Sequence, residues 1–168
     1  MFWFFDGNFS ILLTNRKKQG VVTSKRVQTF FRLELRQKYH RDESVEQGGL
    51  CPLWGGTSYF SMLSKIAAYL GVNLLSRTRE QKDKVFHAFM VISHSAASHD
   101  KVISYFERFP LYSSKYLAYK YWSYVVEQVR LRAGKVLTEK EISEVETIKA
   151  QFNSKRNSFD FSHLDNLG

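Results

Sequence analysis

The clearest pattern in the chain is a strict alternation over residues 27–38. Phe31, Leu33 and Leu35 fall on one side of an extended backbone, and Arg32, Glu34 and Arg36 on the other. Successive strand side chains point to opposite faces, so this stretch predicts a strand with one core face and one polar, mostly cationic face. A shorter alternation over residues 9–15 predicts a strand before it. The basic run Arg16-Lys17-Lys18-Gln19-Gly20 between them predicts a loop, with Lys25-Arg26 continuing the charge on its far side. The two strands therefore predict a basic hairpin able to lie in a nucleic-acid groove. A second hairpin is predicted from residues 72–79, with Arg77 and Arg79 on one face, and Lys84–Ser93, where Phe86, Ala88, Met90 and Ile92 alternate with His87, Phe89 and Val91. Its turn is the charged Glu80-Gln81-Lys82-Asp83.

Elsewhere the apolar period switches to that of a helix. Phe60, Leu63, Ile66, Ala67 and Leu70 predict a helix over residues 58–70, with Gly71 as its C-cap. A helix over residues 98–108 presents Val102, Ile103, Tyr105 and Phe106 and ends at Phe109-Pro110-Leu111. The next, over residues 114–132, carries the stripe Leu117, Tyr121, Tyr124, Val125 and Val129, and Gly134 stops it. Thr138-Glu139-Lys140-Glu141 is a capping box opening a helix to residue 152, with Ile142, Val145, Ile148 and Phe152 inward. At the N-terminus, Met1-Phe2-Trp3-Phe4-Phe5 is apolar all round and predicts a short buried helix, ended by the turn chemistry of Asp6, Gly7 and Asn8. Residues 43–57 are Gly-rich and predict a loop insertion, pinned to the body by Trp54. Its Gly48-Gly49 and Gly55-Gly56 pairs lack the lysine and hydroxyl of a phosphate loop.

Composition places this pattern in a class. At 168 residues with 43% hydrophobic content, the chain suits one domain with a real core. The domain is predicted over residues 1–153, followed by a polar C-terminal tail at 154–168. The 25 Lys+Arg against 16 Asp+Glu leave a formal charge of +9, which points to a polyanionic partner. Cys51 is alone, which excludes an internal disulfide and a cysteine-based zinc site within the chain. No apolar run approaches the roughly 20 residues that span a bilayer, and the N-terminus shows neither a basic n-region nor an Arg/Ser-rich presequence. No membrane partner is expected.

Three segments resemble the LAGLIDADG family of homing endonucleases and RNA maturases. The first is Phe5-Asp6-Gly7-Asn8-Phe9-Ser10-Ile11, similar to the motif that names the family. The second is Phe31-Arg32-Leu33-Glu34-Leu35-Arg36-Gln37-Lys38, similar to a family strand ending in Gln-Lys. The third is Phe106-Glu107-Arg108-Phe109-Pro110-Leu111-Tyr112-Ser113-Ser114-Lys115, followed by Tyr119 and Trp122 and then by Leu137-Thr138-Glu139. The resemblance implies an α+β fold: a single αββαββα core with an antiparallel saddle-shaped sheet and additional C-terminal helices. It also implies a basic sheet face along nucleic acid, and a carboxylate at the end of each motif helix holding Mg²⁺ for phosphodiester hydrolysis.

Here the motif departs from its family. Ungapped, Asp6 falls on the first motif acid and Asn8 on the metal-binding one; a two-residue deletion pairs Gly7 with the final motif glycine instead. Both alignments remove the catalytic acid. Phe2 and Trp3 take positions that are small in the family and admit a partner helix. There is no second motif, so a cleaving form needs a homodimer or a second LAGLIDADG chain. The resemblance offers Gln37 as a water-positioning residue and Lys115 as a site lysine, each with a plain surface role as its alternative.

The first expectation is therefore a non-cleaving protein that holds structured RNA, either organellar ribosomal RNA as a ribosome-associated subunit beside ribosomal proteins, or intron RNA. Its phosphate-binding candidates are Arg16, Lys17, Lys18, Lys25, Arg26, Arg32, Arg36, Lys38, Arg77, Arg79 and Lys84. It takes no cofactor and no metal. The alternative is an Mg²⁺-dependent endonuclease cutting double-stranded DNA as a dimer or with a partner chain; the third class is a protein-interaction subunit. RNA is favoured over DNA, and a mitochondrial setting over a chloroplast one. His94 and His99 are read as a solvated pair, Ser98-His99-Asp100 as a helix start and not a triad, and one of Tyr112, Tyr116 and Tyr119 as a base-stacking ring.

Overall fold

The computed structural model describes residues 7–37, 59–81, 84–132, 134–152 and 162–164. Strands β1 (Asn8–Lys18) and β2 (Val21–Arg36) form the first hairpin. Helix α1 (Phe60–Leu70) follows, then β3 (Leu74–Gln81) and β4 (Lys84–Ser93). Helices α2 (Ala96–Arg108), α3 (Lys115–Leu131) and α4 (Glu139–Ala150) complete the body, and a short 3₁₀ turn lies at Ser162–Leu164. The strands make one antiparallel sheet in the order β1-β2-β4-β3, the mixed α+β architecture the resemblance implies.

The first hairpin is longer than the alternation indicated. Arg16, Lys17 and Lys18 belong to β1, and Lys25 and Arg26 to β2. The turn is only Gln19-Gly20, both with positive φ (50° and 82°). Two left-handed residues between paired strands twist in the sense that sheets require, which suits a two-residue hairpin. Charge therefore misplaced the loop: exposed hairpin tips tolerate cations on paired backbone as readily as on a turn. Asn8, read as turn chemistry, instead opens β1 opposite Arg32. The apolar N-terminal segment, Asp6, Lys38, the 43–57 insertion and nearly all of the 154–168 tail lie outside the described residues.

The core lies between the sheet and the helices. Phe9, Ile11, Val27, Phe31, Leu33 and Val91 project from one sheet face onto Leu63, Ala67, Leu70, Val102, Ala118, Tyr119, Trp122, Val125 and Val126. Phe9 is its hub, with its ring 5.2 Å from Phe31, 5.6 Å from Phe106, 5.8 Å from Tyr119 and 5.3 Å from Trp122. The buried side of α3 is thus Ala118, Tyr119, Trp122, Val125 and Val126, not the predicted stripe. Of that stripe only Val125 is fully buried. Tyr124 and Val129 border α4, where Tyr124 donates to Glu144 at 2.6 Å, and Tyr121 reaches Gln151 at the end of that helix. A helix packed on two sides has two apolar faces, and a single stripe cannot represent both.

Gly7 precedes β1 for a steric reason. A Cβ there would stand 2.3 Å from a Phe31 ring atom and 2.8 Å from another. Real Cβ atoms do not approach so closely, so Phe31 would have to leave its rotamer. Gly7→Ala is expected to destabilise the fold by about 1–3 kcal/mol through overpacking, read as a lower urea midpoint with unchanged m-value. An unchanged midpoint would show that Phe31 moves aside freely.

Candidate nucleic-acid interface

Strand parity and register sort the polar face. Asn8, Ser10, Leu12, Thr14 and Arg16 of β1 share it with Arg26, Phe30, Arg32, Glu34 and Arg36 of β2. Through the pairs Arg32↔Ile92, Glu34↔Met90, Met90↔Leu75, Ala88↔Arg77, Phe86↔Arg79 and Lys84↔Gln81, the same face takes in Arg77, Arg79 and Lys84. Two hairpins thereby place Arg16, Arg26, Arg32, Arg36, Arg77, Arg79 and Lys84 on one surface, opposite the helices. Among the described residues, Glu34 is the one acid on that surface.

Glu34 organises the arginines around it. Its carboxylate lies 2.7 Å from Arg79 Nη2, 3.5 Å from Arg77 Nη1 and 3.9 Å from Arg32 Nε. The carboxylate is one-fifth exposed while the arginines are 36–47% exposed, so the cluster carries excess positive charge that solvent or a phosphate can reach. Fixing three guanidiniums on one acceptor lowers the side-chain entropy that remains to be lost on binding. The alternation over residues 27–38 showed Glu34 on the cationic face, but nothing in it showed that β3 would bring Arg77 and Arg79 to the same carboxylate. Between the cations the floor is apolar: Phe30, Phe86, Met90 and Ile92 are half-buried, and the Arg36 guanidinium sits 5.6 Å above the Phe86 ring.

Other candidates fall elsewhere. Lys25 is on the helical face, where its ammonium pairs with Glu146 of α4 at 3.0 Å, because its odd position in β2 turns it away from Arg26. Lys17 is exposed beyond an irregularity in the β1–β2 register. Gln37 is also on the helical side, with Nε2 donating to Ser76 Oγ at 3.0 Å. Five positions of strand separate it from Arg32, the partner of Asn8, or roughly 16 Å at about 3.3 Å per residue. The fold does not bring Asn8 and Gln37 together. Lys115 opens α3 one turn before Tyr119, whose ring meets Phe9 beside Asn8.

No set of three or more His, Cys, Asp or Glu side chains gathers into a cation site among the described residues. Asn8 offers a neutral amide, and the residue directly across from it is the cationic Arg32. Among the described residues Asn8 therefore supplies no anionic oxygen, the ligand type a hard divalent ion favours.

The histidines separate. His99 is buried, with its ring edge-on to Trp122 at 5.1 Å and Nε2 donating to the Ser93 carbonyl at 3.3 Å, whereas His94 is exposed. They are not a solvated pair: helix α2 starts at Ala96, so His99 turns inward in its first turn. Ser98 closes a capping box with Ser95 and accepts from Ser93 Oγ at 2.9 Å, and Asp100 pairs with Arg130, so no triad forms. Burial pushes the His99 pKa below its ordinary value, with Arg130 and His94 adding to the effect against the Ser93 hydrogen bond. Since the unfolded chain protonates this histidine near pH 6.5 and the folded one only at lower pH, its contribution to stability is complete above about pH 6.5 and falls as pH drops below it. Thermal melting between pH 7.5 and 5 is expected to show this loss, and His99→Phe to flatten that part of the profile. A wild-type slope retained in the variant would assign the effect elsewhere. Of the three tyrosines considered for stacking, Tyr119 is excluded: it is buried, donates to the Ile103 carbonyl, and has its hydroxyl pKa pushed up to about 12 by burial and the Glu107 charge.

A sheet with one face packed by helices and the other studded with arginines defines a half-saddle α+β domain. Residues 55–126 match the LAGLIDADG endonuclease family. The chain is 31% identical over 169 residues to the intron-encoded DNA endonuclease aI3 of Saccharomyces cerevisiae, covering 96% of this chain and 38% of that protein. In fold it is similar to the LAGLIDADG meganuclease I-CpaMI bound to uncleaved DNA (TM-score 0.57, 18% identity, 95% of this chain and 43% of that one). It is also similar to the homing endonuclease I-TnaI (TM-score 0.56, 16% identity, 95% and 85%). The chain thus carries a LAGLIDADG endonuclease-family domain, and it spans well under half the length of the yeast relative.

Proposed function

We propose that this chain binds nucleic acid through the open face of its sheet and does not cut phosphodiester bonds by itself. The observation that carries the reading is the convergence of two hairpins on one arginine-rich surface, with Asn8 and Arg32 where a metal-binding acid would be needed. Duplex DNA suits the first hairpin. A B-form major groove, about 12 Å wide, admits a two-stranded ribbon, whereas the major groove of A-form RNA is too narrow. The 16 residues of β2 extend for roughly 50 Å, more than one turn of duplex. A relative described as a DNA endonuclease supports the same choice. Because the chain spans 38% of that relative, a second unit, from the same protein or another copy, completes the saddle in this reading.

Structured RNA is the second reading, and Phe30 and Phe86 favour it. Half-buried rings between arginines on an open sheet are a surface on which unpaired bases stack. Organellar ribosomal or intron RNA would then be the target. For either target we place the protein in mitochondria, with chloroplasts as the alternative, on the strength of an intron-encoded relative.

The test is binding and cleavage with the same preparation. Incubated with a pool of long duplexes and with Mg²⁺, the chain is expected to retard duplex while leaving it intact. Cutting by the unaltered chain refutes the non-cleaving reading. Cutting gained on Asn8→Asp, and absent before, would identify loss of the acid as the cause.

A further inference from the structure

The helical layer carries a second patch, away from the sheet's open face. Tyr69 of α1, Tyr105 of α2 and Phe109 just beyond it are 43–51% exposed although each is large and apolar. Their rings form a row, with centroids 6.4 Å apart from Tyr69 to Tyr105 and 5.1 Å apart from Tyr105 to Phe109. Cations are interleaved with them. Lys65 precedes Tyr69 by four residues on α1, and Lys101 and Arg108 flank Tyr105 by four and three on α2, so helical geometry puts each beside a ring. The ammonium of Lys101 also lies against Gly71, 3.5 Å from where a Cβ would stand, which brings it to the junction of the two helices. The Arg108 guanidinium lies 5.4 Å above the Phe109 ring.

This charge is not compensated. Among the described residues, Lys65, Lys101 and Arg108 form no ion pair, whereas Arg32, Arg77 and Arg79 on the open face share Glu34. Glu107 is two residues from Tyr105, on another side of α2. Exposed rings at successive spacing with free cations between them match the chemistry of a single nucleic-acid strand, whose bases have π-faces and whose backbone is anionic. A protein ligand would gain from the rings, but a row of unpaired cations favours a polyanion.

We infer that Tyr69, Tyr105 and Phe109, with Lys65, Lys101 and Arg108, form a binding site for single-stranded nucleic acid, separate from the sheet face. A domain with two such surfaces holds a duplex on one side and a displaced or looped strand on the other. The site does not depend on which target the sheet binds.

The probe is a fluorescently labelled single strand of about 15 uridines, titrated with the full chain and read by anisotropy. Tyr69→Ala with Tyr105→Ala is expected to weaken single-strand binding by roughly tenfold or more, and to leave duplex binding within about twofold. Lys101→Glu with Arg108→Glu keeps both tyrosine rings, reverses the charge beside them and should weaken it as much, which guards against a packing effect of the tyrosine variant. Arg77→Glu with Arg79→Glu should show the reverse selectivity. The site is refuted if neither helical-layer variant alters single-strand affinity, or if the sheet variant abolishes it. It is also refuted if Tyr105→Ala instead dissolves a dimer seen by sedimentation, since a second copy would then cover the patch.

Discussion

Duplex affinity is expected to fall by roughly 10³-fold between 50 and 200 mM salt. The open face sets the figure. In the proposed complex Arg16, Arg26, Arg32, Arg36, Arg77, Arg79 and Lys84 of the open face meet the duplex, and Glu34 cancels one charge, so about six phosphates release counterions, at close to 0.9 in log–log slope each. Changes at single residues follow from the same account. Arg77→Ala should flatten the slope by about one unit and weaken binding to all sequences alike, whereas Glu34→Gln should steepen it by about one and tighten binding at low salt. The quantity to measure is the slope of log affinity against log salt for each variant. A slope near zero in the unaltered chain, or one that Glu34→Gln leaves unchanged, would remove the electrostatic basis of the interface. Should Glu34→Gln weaken binding instead, orienting the guanidiniums would outweigh the charge that Glu34 cancels.

Trp122→Ala is expected to cost about 3–5 kcal/mol, a large fraction of the roughly 5–15 kcal/mol that holds a domain together. The indole is fully buried between Phe9 of β1 and His99 of α2, so its loss opens a cavity where the sheet and two helices meet. Its Nε1 is buried and, among the described residues, has no hydrogen-bond partner. An unpaired buried donor is itself unfavourable, so Trp122→Phe, which keeps most of the ring volume and removes that donor, should cost far less than the alanine. Urea denaturation of the two variants distinguishes the contributions. If phenylalanine costs as much as alanine, a hydrogen bond from the indole outweighs packing; if alanine costs under about 1 kcal/mol, Trp122 is not central to the core.

Much of this architecture was legible in the chain because its signals are local. Alternation identified both hairpins, and β4 has the bounds its pattern indicated. Gly71 ends α1 with left-handed backbone, and Thr138 and Glu141 close a capping box at α4. The apolar period also indicates the helix around Trp122, but not its orientation: Tyr119 and Trp122 turn inward because Phe9, more than a hundred residues earlier, supplies the rings they meet. The reversed fate of His99 has the same origin, since only the closing of α2 against α3 takes it out of water.

The site divides in the same way. Residue spacing alone establishes which arginines share a strand face, because the period of two is a property of the backbone. Under the resemblance it also puts Asn8, a neutral amide, at the position of the motif's metal-binding acid, a matter of residue identity. Register and strand order are not local: they depend on which hairpin edges pair and on what the helices cover. Only the order β1-β2-β4-β3 carries Arg77 and Arg79 across to Glu34, turns Lys25 to the helices and Glu146, and separates Gln37 from Asn8. The chemistry available to this chain follows from its residues, and the surface on which that chemistry is gathered follows from long-range pairing.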